Sequence, residues 1–157
     1  MHNNKTQLLL VIAAAFTLGL IASPVAQHLV SNAHAAQPVP MTARIIDLTA
    51  VKHDDLPATA NREMHNQALV VTDNATVAVQ SGNVAKHFHP KTDEIQYIIE
   101  GSGAMWLGAE RKEFKPGTLL IIPKGTAHGG TLVTKGPVKA LAIKIPPQAK
   151  DDVVFVD

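Results

Sequence analysis

Two histidines and a glutamate lie close together in the stretch KHFHPKTDEIQYIIEG, which runs from residue 86 to residue 101. Side chains alternate between the two faces of a β-strand, so His87 and His89 point the same way while Phe88 points away from them. The Pro-Lys-Thr-Asp segment can turn the chain back, which would bring Glu94 near the two imidazoles. Two neutral imidazoles and one carboxylate are a ligand set suited to Fe, Mn, Ni, Cu or Zn.

A second group of residues, in the stretch GTLLIIPKGTAHGG, strengthens this interpretation. A His-x-His pair in a strand is by itself a weak indication of a metal site. Here Gly117 and Pro123 bracket an apolar strand, and Gly125 precedes a further histidine, His128. The two groups occur in this order with 15 residues between Gly101 and Gly117.

Together the two groups resemble the two motifs of the cupin superfamily, of the small single-domain type. The first motif is matched by His87, His89, Glu94 and Gly101, and the second by Gly117, Pro123, Gly125 and His128. The resemblance is close over residues 82–132 and departs from the family at two positions. Four rather than five residues separate Gly82 from His87, and Leu132 stands where the family has asparagine. Neither position is a ligand in the family pattern.

The resemblance implies a jelly-roll barrel in which His87, His89, Glu94 and His128 coordinate one divalent transition metal (Fe, Mn, Cu, Zn or Ni). It also implies that two neighbouring coordination positions stay open for water, oxygen or a substrate. By strand alternation, Gln96 and Ile98 follow Glu94 onto the metal-facing side. Gln96 is therefore a candidate for a hydrogen bond to a ligand or for substrate contact, the alternative being a satisfied amide of the barrel wall.

The elements that must position these residues are short strands separated by turns. The runs QALVV and ATVAVQ flank Thr72, Asp73 and Asn74, which predicts a hairpin. A first strand is expected at residues 43–48, and residues 52–66 are expected to form a loop that carries His53 and His65 at the surface. Further strands are expected at AKHFH, EIQYIIE, AMWLG, TLLIIP, HGGTLV and ALAIKI. Eight or nine strands at short spacing indicate an all-β, antiparallel sandwich or barrel in a single domain.

The outward face of the strand after Glu94 is predicted to be apolar. Ile95, Tyr97 and Ile99 alternate with the inward residues, and Phe88 joins them if the two strands are adjacent. An apolar outer face predicts a homodimer or a swapped terminal strand that covers it. The terminal VVFVD run is expected to be a docked edge strand or a tail.

The N-terminus has the features of a secretory signal peptide. Lys5 precedes an uncharged apolar run at residues 8–22, and small residues surround a cleavage point after Ala35. The run of about 15 residues is short of the roughly 20 that a spanning helix needs. We expect a signal peptide at 1–35 and a mature cupin domain at 36–157, periplasmic or secreted and without stable membrane insertion. An uncleaved anchor is the alternative.

The composition narrows the function classes. The 157 residues contain 14 Lys and Arg against 13 Asp and Glu, so the chain has no strong field to attract nucleic acid. There is no cysteine, which excludes disulfides and thiolate metal ligands. No acid or base can be placed beside the metal from sequence alone, although Lys86, Glu100 and Lys144 are candidates for proton transfer.

Two functions fit these features. The first is a metal-dependent enzyme of dioxygenase, isomerase, decarboxylase or lyase type acting on a small oxygen-rich molecule. The second is a binding protein that holds a metal or small ligand for storage, transport or sensing. The catalytic residues of the first remain unassigned by sequence.

Overall fold

The structure is a computed structural model that describes residues 38–157. The expected signal peptide and its cleavage point lie outside the described residues. Within residues 38–157 no helix has the length and apolar character needed to cross a membrane. The helical structure found there is one short 3-10 turn at His53–Asp55.

Eight antiparallel strands form the described part of the chain, which confirms the predicted all-β architecture. In chain order they are β1 (Met64–Val71), β2 (Thr76–Gly82), β3 (His87–Phe88), β4 (Asp93–Leu107), β5 (Glu110–Phe114), β6 (Leu119–Ile122), β7 (His128–Ile145) and β8 (Val154–Phe155). The predicted hairpin is present, because β1 pairs with β2 across the turn at residues 72–75.

Strand β7 connects the other elements. One of its edges pairs with β2 and with β3, and the other pairs along nearly its whole length with β4. The far edge of β4 pairs with β6 near its start and with β5 near its end. The short β8 pairs with the far side of β3. The strand that begins with His128 thus lies between the two parts of the chain that carry the other predicted ligands.

Strands β4 and β7 are longer than the sequence predicted. The Gly-Ser-Gly segment at 101–103 and the Lys-Gly-Pro segment at 135–137 were expected to separate strands, but both lie within continuous strands. The pairing register shifts between Ile98 and Gly103, so the glycines form bulges rather than turns. Gly101 has a φ of 80°, and a Cβ on Gly103 would lie 2.3 Å from the Leu132 carbonyl oxygen. The strands can approach closely there because the side chains are missing.

The predicted first strand at residues 43–48 is wrong. That segment belongs to no strand, and Ile45 is fully exposed. It contacts β1 through a hydrogen bond from the Arg44 guanidinium to the Leu69 carbonyl, and Val39, just before it, forms a single bridge with Val71. Apolar, β-branched composition alone does not make a strand where no ladder partner is available.

The segment at residues 49–56 covers the outer side of β2 and β7. Lys139 is 1% exposed, and its ammonium donates to the Val51 carbonyl at 2.6 Å and to Glu100 at 2.8 Å. His53 and His65 were expected at the surface of a loop. Instead both are half-buried with their rings stacked 4.0 Å apart, and His65 lies in β1.

The apolar core lies inside the barrel, next to the predicted metal ligands. It is made of Ile98, Met105, Phe114, Leu120, Ile122 and Ala140. Directly paired residues of neighbouring strands share the inner face: Ile98 pairs with Ala140, and both are buried. The sequence left open which of Met105 and Trp106 faces inward. Met105 does, and it is 5% exposed.

Candidate metal centre

The four predicted ligands converge inside the barrel. Nitrogen atoms of His87, His89 and His128 lie within 4.8 Å of one another. The Glu94 Oε2 atom lies 3.2 Å from the Nε2 atoms of both His89 and His128. All four side chains are at most 6% exposed. The site is therefore a closed cluster of three imidazoles and one carboxylate.

The strand arrangement that brings the ligands together differs from the one predicted. His87 and His128 are direct cross-strand partners of β3 and β7. Strand β3 pairs with β7 and β8 and not with β4, so Glu94 does not lie on a strand next to that of His87. Its strand pairs instead with β7, where the register partner of Glu94 is Lys144. The residue after His128, Gly129, has a φ of 90°, and a Cβ there would lie 3.0 Å from the Ala85 carbonyl oxygen.

Hydrogen bonds fix which ring nitrogen of each histidine faces the centre. The Nδ1 atom of His87 bonds the Ala85 carbonyl at 2.8 Å, that of His128 bonds the Thr126 carbonyl at 2.9 Å, and that of His89 bonds the Asp152 carbonyl at 2.5 Å. A carbonyl oxygen only accepts, so each Nδ1 carries the proton. In the neutral rings the Nε2 atoms then present lone pairs.

This donor set fits a divalent cation. Lone pairs on imidazole nitrogens and a carboxylate oxygen face one another in a buried space, an arrangement that is repulsive without a positive charge between them. Three nitrogen ligands and one oxygen ligand match the preferences of the later first-row transition metals. Histidines whose second nitrogen bonds a carbonyl are the usual form of metal-ligating imidazoles.

Glu94 is held as a carboxylate through its other oxygen. Gln96 donates to the Glu94 Oε1 atom at 2.9 Å, and the Lys144 ammonium lies 4.0 Å from the same atom. Burial opposes ionisation. Hydrogen bonds from His128 and His89, formed when a proton takes the place of a metal on Nε2, act against it together with the charge of Lys144 and hold the pKa of Glu94 below its ordinary value. Oε2 is thereby left to face the imidazoles.

His87 is held neutral. Burial lowers its pKa from 6.5 to about 4, and the neighbouring His128 acts in the same direction. A neutral imidazole is the form that binds a metal, so the site needs little deprotonation at neutral pH.

A cavity of about 50 Å³ adjoins the cluster. His128, Gln96, Gln80 and Asn83 contribute polar groups, and the remaining wall is largely apolar. Among the described residues that line the cavity, His128 is the one ionisable side chain. The space corresponds to about four water molecules. It can therefore take a small molecule or the reacting end of a larger one.

The proton-transfer candidates from the sequence lie elsewhere. Glu100 is 45% exposed and pairs with Lys139, and Lys86 lies over the Trp106 ring at 4.6 Å. Lys144 is closest to the cluster but does not line the cavity. Sequence reasoning missed two contributors, Lys144 as a partner of Glu94 and Asp152 as a partner of His89. The alternation of β7 could have indicated Lys144, whereas no pattern points to a backbone carbonyl in the tail.

The outer side of β4 is apolar and exposed, in agreement with the predicted alternation. Tyr97 is 47% exposed, and its cross-strand neighbours Leu119 and Ile121 on β6 are 57% and 65% exposed. Phe88 is not part of this group, because its strand is not adjacent to β4. We call Ile95, Tyr97, Leu119 and Ile121 the outer apolar face.

Comparison with known proteins agrees with this geometry. Residues 75–144 match the family model described as a cupin domain, which covers the site from before His87 to beyond His128. An uncharacterized protein of Methanocaldococcus jannaschii is 35% identical over 71 residues, which are 45% of this chain and 57% of that protein. The chain therefore matches little more than half the length of this relative.

Two solved structures show a similar fold. One is an uncharacterized protein with a double-stranded β-helix domain from Klebsiella pneumoniae, with a TM-score of 0.55 and 20% identity over 74% of this chain and 99% of that one. The other is Pac13 from Streptomyces, described as a nucleoside dehydratase, with a TM-score of 0.53 and 17% identity over 60% of this chain and 78% of that one. At these identities the likeness concerns the fold.

Proposed function

We propose that this chain, which carries a cupin domain, is a metal-dependent enzyme acting on a small oxygen-rich molecule. His87, His89, Glu94 and His128 would hold one divalent metal. The observation that carries the proposal is the convergence of three imidazoles and one carboxylate oxygen beside a cavity. The Nδ1 protons of the imidazoles are donated to carbonyls, so this buried group needs a positive charge at its centre.

Each residue around the cluster has a role in this proposal. The metal, when bound, would act as a Lewis acid toward an oxygen group of the substrate. Gln96 and Lys144 hold Glu94 through Oε1 and so keep Oε2 directed at the centre. The apolar wall formed by Ile98, Met105 and Phe114 excludes water from the reacting end of the substrate.

The residues that line the cavity favour some types of reaction over others. No described residue on its wall other than His128 can give or take a proton. Reactions in which polarisation by the metal would suffice, such as dioxygenation of an enol or decarboxylation of a keto acid, fit this wall better than isomerisation or elimination, in which a side chain must also carry a proton.

We also propose that the chain works outside the cytoplasm and as a homodimer. The apolar run at residues 8–22 and the small residues around Ala35 support export of a mature chain from residue 36. The outer apolar face supports the dimer, because its four residues are uncharged and can pack against their copies without repulsion between like charges. Dimers of this kind have two-fold symmetry.

Metal analysis tests the proposed function. Protein purified from its native compartment is expected to contain close to one divalent metal per chain, and chelation should abolish turnover in a panel of small keto acids, enols and diketones with oxygen uptake recorded in parallel. Full metal occupancy without turnover or uptake across the panel would favour the second function, a binding protein for a metal or small ligand. Absence of metal together with unchanged thermal stability in chelator would contradict both.

A further inference from the structure

The three imidazoles of the cluster are oriented by different parts of the chain. The carbonyl that fixes His87 belongs to Ala85 and the one that fixes His128 belongs to Thr126, each two residues away. The carbonyl that fixes His89 belongs to Asp152, 63 residues away. Two ligands are thus preset by their own loops, whereas the third depends on a distant segment.

That segment, residues 152–156, is here called the C-terminal strap. Its strand β8 pairs with β3, where His87 lies opposite Phe155, and the Val156 amide donates to the Lys86 carbonyl at 3.0 Å. Val154 is 39% and Phe155 63% exposed, so these side chains bury little apolar surface. The strap is held mainly by a few backbone hydrogen bonds and by one buried side chain.

The buried side chain is that of Asp152, which is 0% exposed. Its Oδ1 atom accepts a hydrogen bond from the Lys91 amide at 2.8 Å, two residues beyond His89. Its Oδ2 atom has no hydrogen-bond partner among the described residues. Asp152 therefore connects the strap to His89 through its backbone carbonyl and to the segment after His89 through its side chain.

We propose that the C-terminal strap is a component of the metal centre, with Asp152 as the residue that positions His89. Strap docking orients the His89 ring with Nε2 toward the centre, and a metal bound at Nε2 in turn holds the strap in place. The two events are coupled by the same factor in both directions, because binding free energies are reciprocal. This inference rests on metal binding by the four ligands.

An adjacent residue of the same type gives a matched control. Asp151 is 77% exposed, and its carboxylate pairs at 3.5 Å with the ammonium of Lys91, which is 67% exposed. Exposed pairs of this kind contribute little. Asp151→Ala removes a carboxylate next to the strap and this exposed ion pair, but no contact to His89.

The first measurement is Zn²⁺ affinity by competition with a chromogenic chelator. Asp152→Ala keeps the carbonyl that contacts His89 but removes the carboxylate that anchors it to the Lys91 amide, so Zn²⁺ binding is expected to weaken toward the roughly 10- to 100-fold found when a partner of a metal-ligating histidine is lost. Asp152→Asn keeps an oxygen that can accept from the Lys91 amide and should restore most of the affinity. Asp151→Ala should stay within about twofold of the wild type, since its exposed ion pair is worth little.

The second measurement is amide hydrogen exchange of the wild-type protein with and without Zn²⁺. The Val156 and Lys91 amides, which attach the strap, are expected to exchange more slowly with the metal bound, while the Thr72 amide in the β1–β2 turn serves as an unaffected reference. A tail without a role at the centre would show equal exchange in both states, and that result would overturn the proposal.

The outcomes distinguish failure of the strap proposal from failure of the proposed metal site. Wild-type protein that binds no Zn²⁺ would overturn the proposed function and the strap together. Wild-type binding with the same affinity in Asp152→Ala, in a variant whose circular dichroism shows a folded barrel, would overturn the strap alone. Equal weakening by Asp151→Ala and Asp152→Ala would also overturn it, because the effect would then come from local charge.

Discussion

The two faces of strand β4 differ in polarity and in exposure to solvent. On the inner face, Glu94 is 2% exposed and directs Oε2 at the Nε2 atoms of two imidazoles. On the outer face, Tyr97 is 47% exposed, and its cross-strand neighbours Leu119 and Ile121 are apolar and also exposed. One face buries polar groups, and the other exposes apolar groups. The first is the proposed metal site, and the second is the proposed dimer surface.

Among the changes that test this comparison, the loss of a metal ligand on the inner face should have the largest effect, which is on metal affinity. His128→Ala is expected to lower metal affinity well beyond the roughly 100-fold that loss of an outer partner costs, because a direct bond to the metal is removed. The barrel should stay folded by circular dichroism. Metal content of the purified variant checks this, and occupancy equal to that of the wild type would remove His128 from the ligand set.

Neighbouring residues on opposite faces should differ in their contribution to stability. Ile98 is 1% exposed in the core, so Ile98→Ala is expected to lower the free energy of unfolding by about 3 kcal/mol. Tyr97→Ala should cost less than about 1 kcal/mol in a dilute, monomeric sample and more as protein concentration rises, if a second copy covers it. Denaturant unfolding at two protein concentrations measures both. A Tyr97→Ala effect independent of concentration would weaken the dimer proposal.

Acid should destabilise the metal-free protein through the inner face. In the unfolded chain His87 takes up a proton below pH 6.5, whereas in the folded protein burial holds its pKa at about 4. Stability is therefore lost as the pH falls from about 6.5 to about 4, by at most about 3 kcal/mol. Denaturant unfolding in chelator at several pH values follows this loss. The His87→Gln variant should show a shallower dependence, and equal slopes would exclude His87 as the cause.

A charge introduced into the outer apolar face should weaken dimerisation without changing metal content. Ile121 is 65% exposed and lies in the outer apolar face, so Ile121→Lys is expected to weaken a homodimer by at least about tenfold through an unpaired charge in the interface. Light scattering reports the assembly, and metal content should not change. Ile45→Lys is the control, because Ile45 is fully exposed and lies outside that face. A wild type that is monomeric at high concentration would contradict the dimer directly.

Much of the fold and of the ligand cluster could be predicted because both follow from short-range patterns. The hairpin of β1 and β2 is marked by turn residues between two apolar runs, and the alternation after Glu94 assigned Gln96 and Ile98 to the inside of the barrel and Tyr97 to the outside. The spacing of the two motifs pointed to the residues that converge in the structure.

The features that could not be predicted depend on pairing between distant segments. Strand β5 was missed because four of its five residues are exposed and only Phe114 is buried, so it lacks an apolar alternation. Gly101 and Gly103 looked like a turn because a bulge and a turn need the same residue type. Residues 43–48 looked like a strand because apolar composition does not reveal whether a partner is present.

The position of β7 affects the stage of folding at which the ligand cluster can form. This strand pairs with β2, β3 and β4, and its partners lie tens of residues earlier in the chain. Contacts of such long sequence separation form slowly, since a long loop must close before any of them is gained. His128 begins this strand, so the ligand cluster assembles with the barrel and not ahead of it. A newly made chain therefore has no complete ligand cluster until the contacts of β7 with the earlier strands have formed.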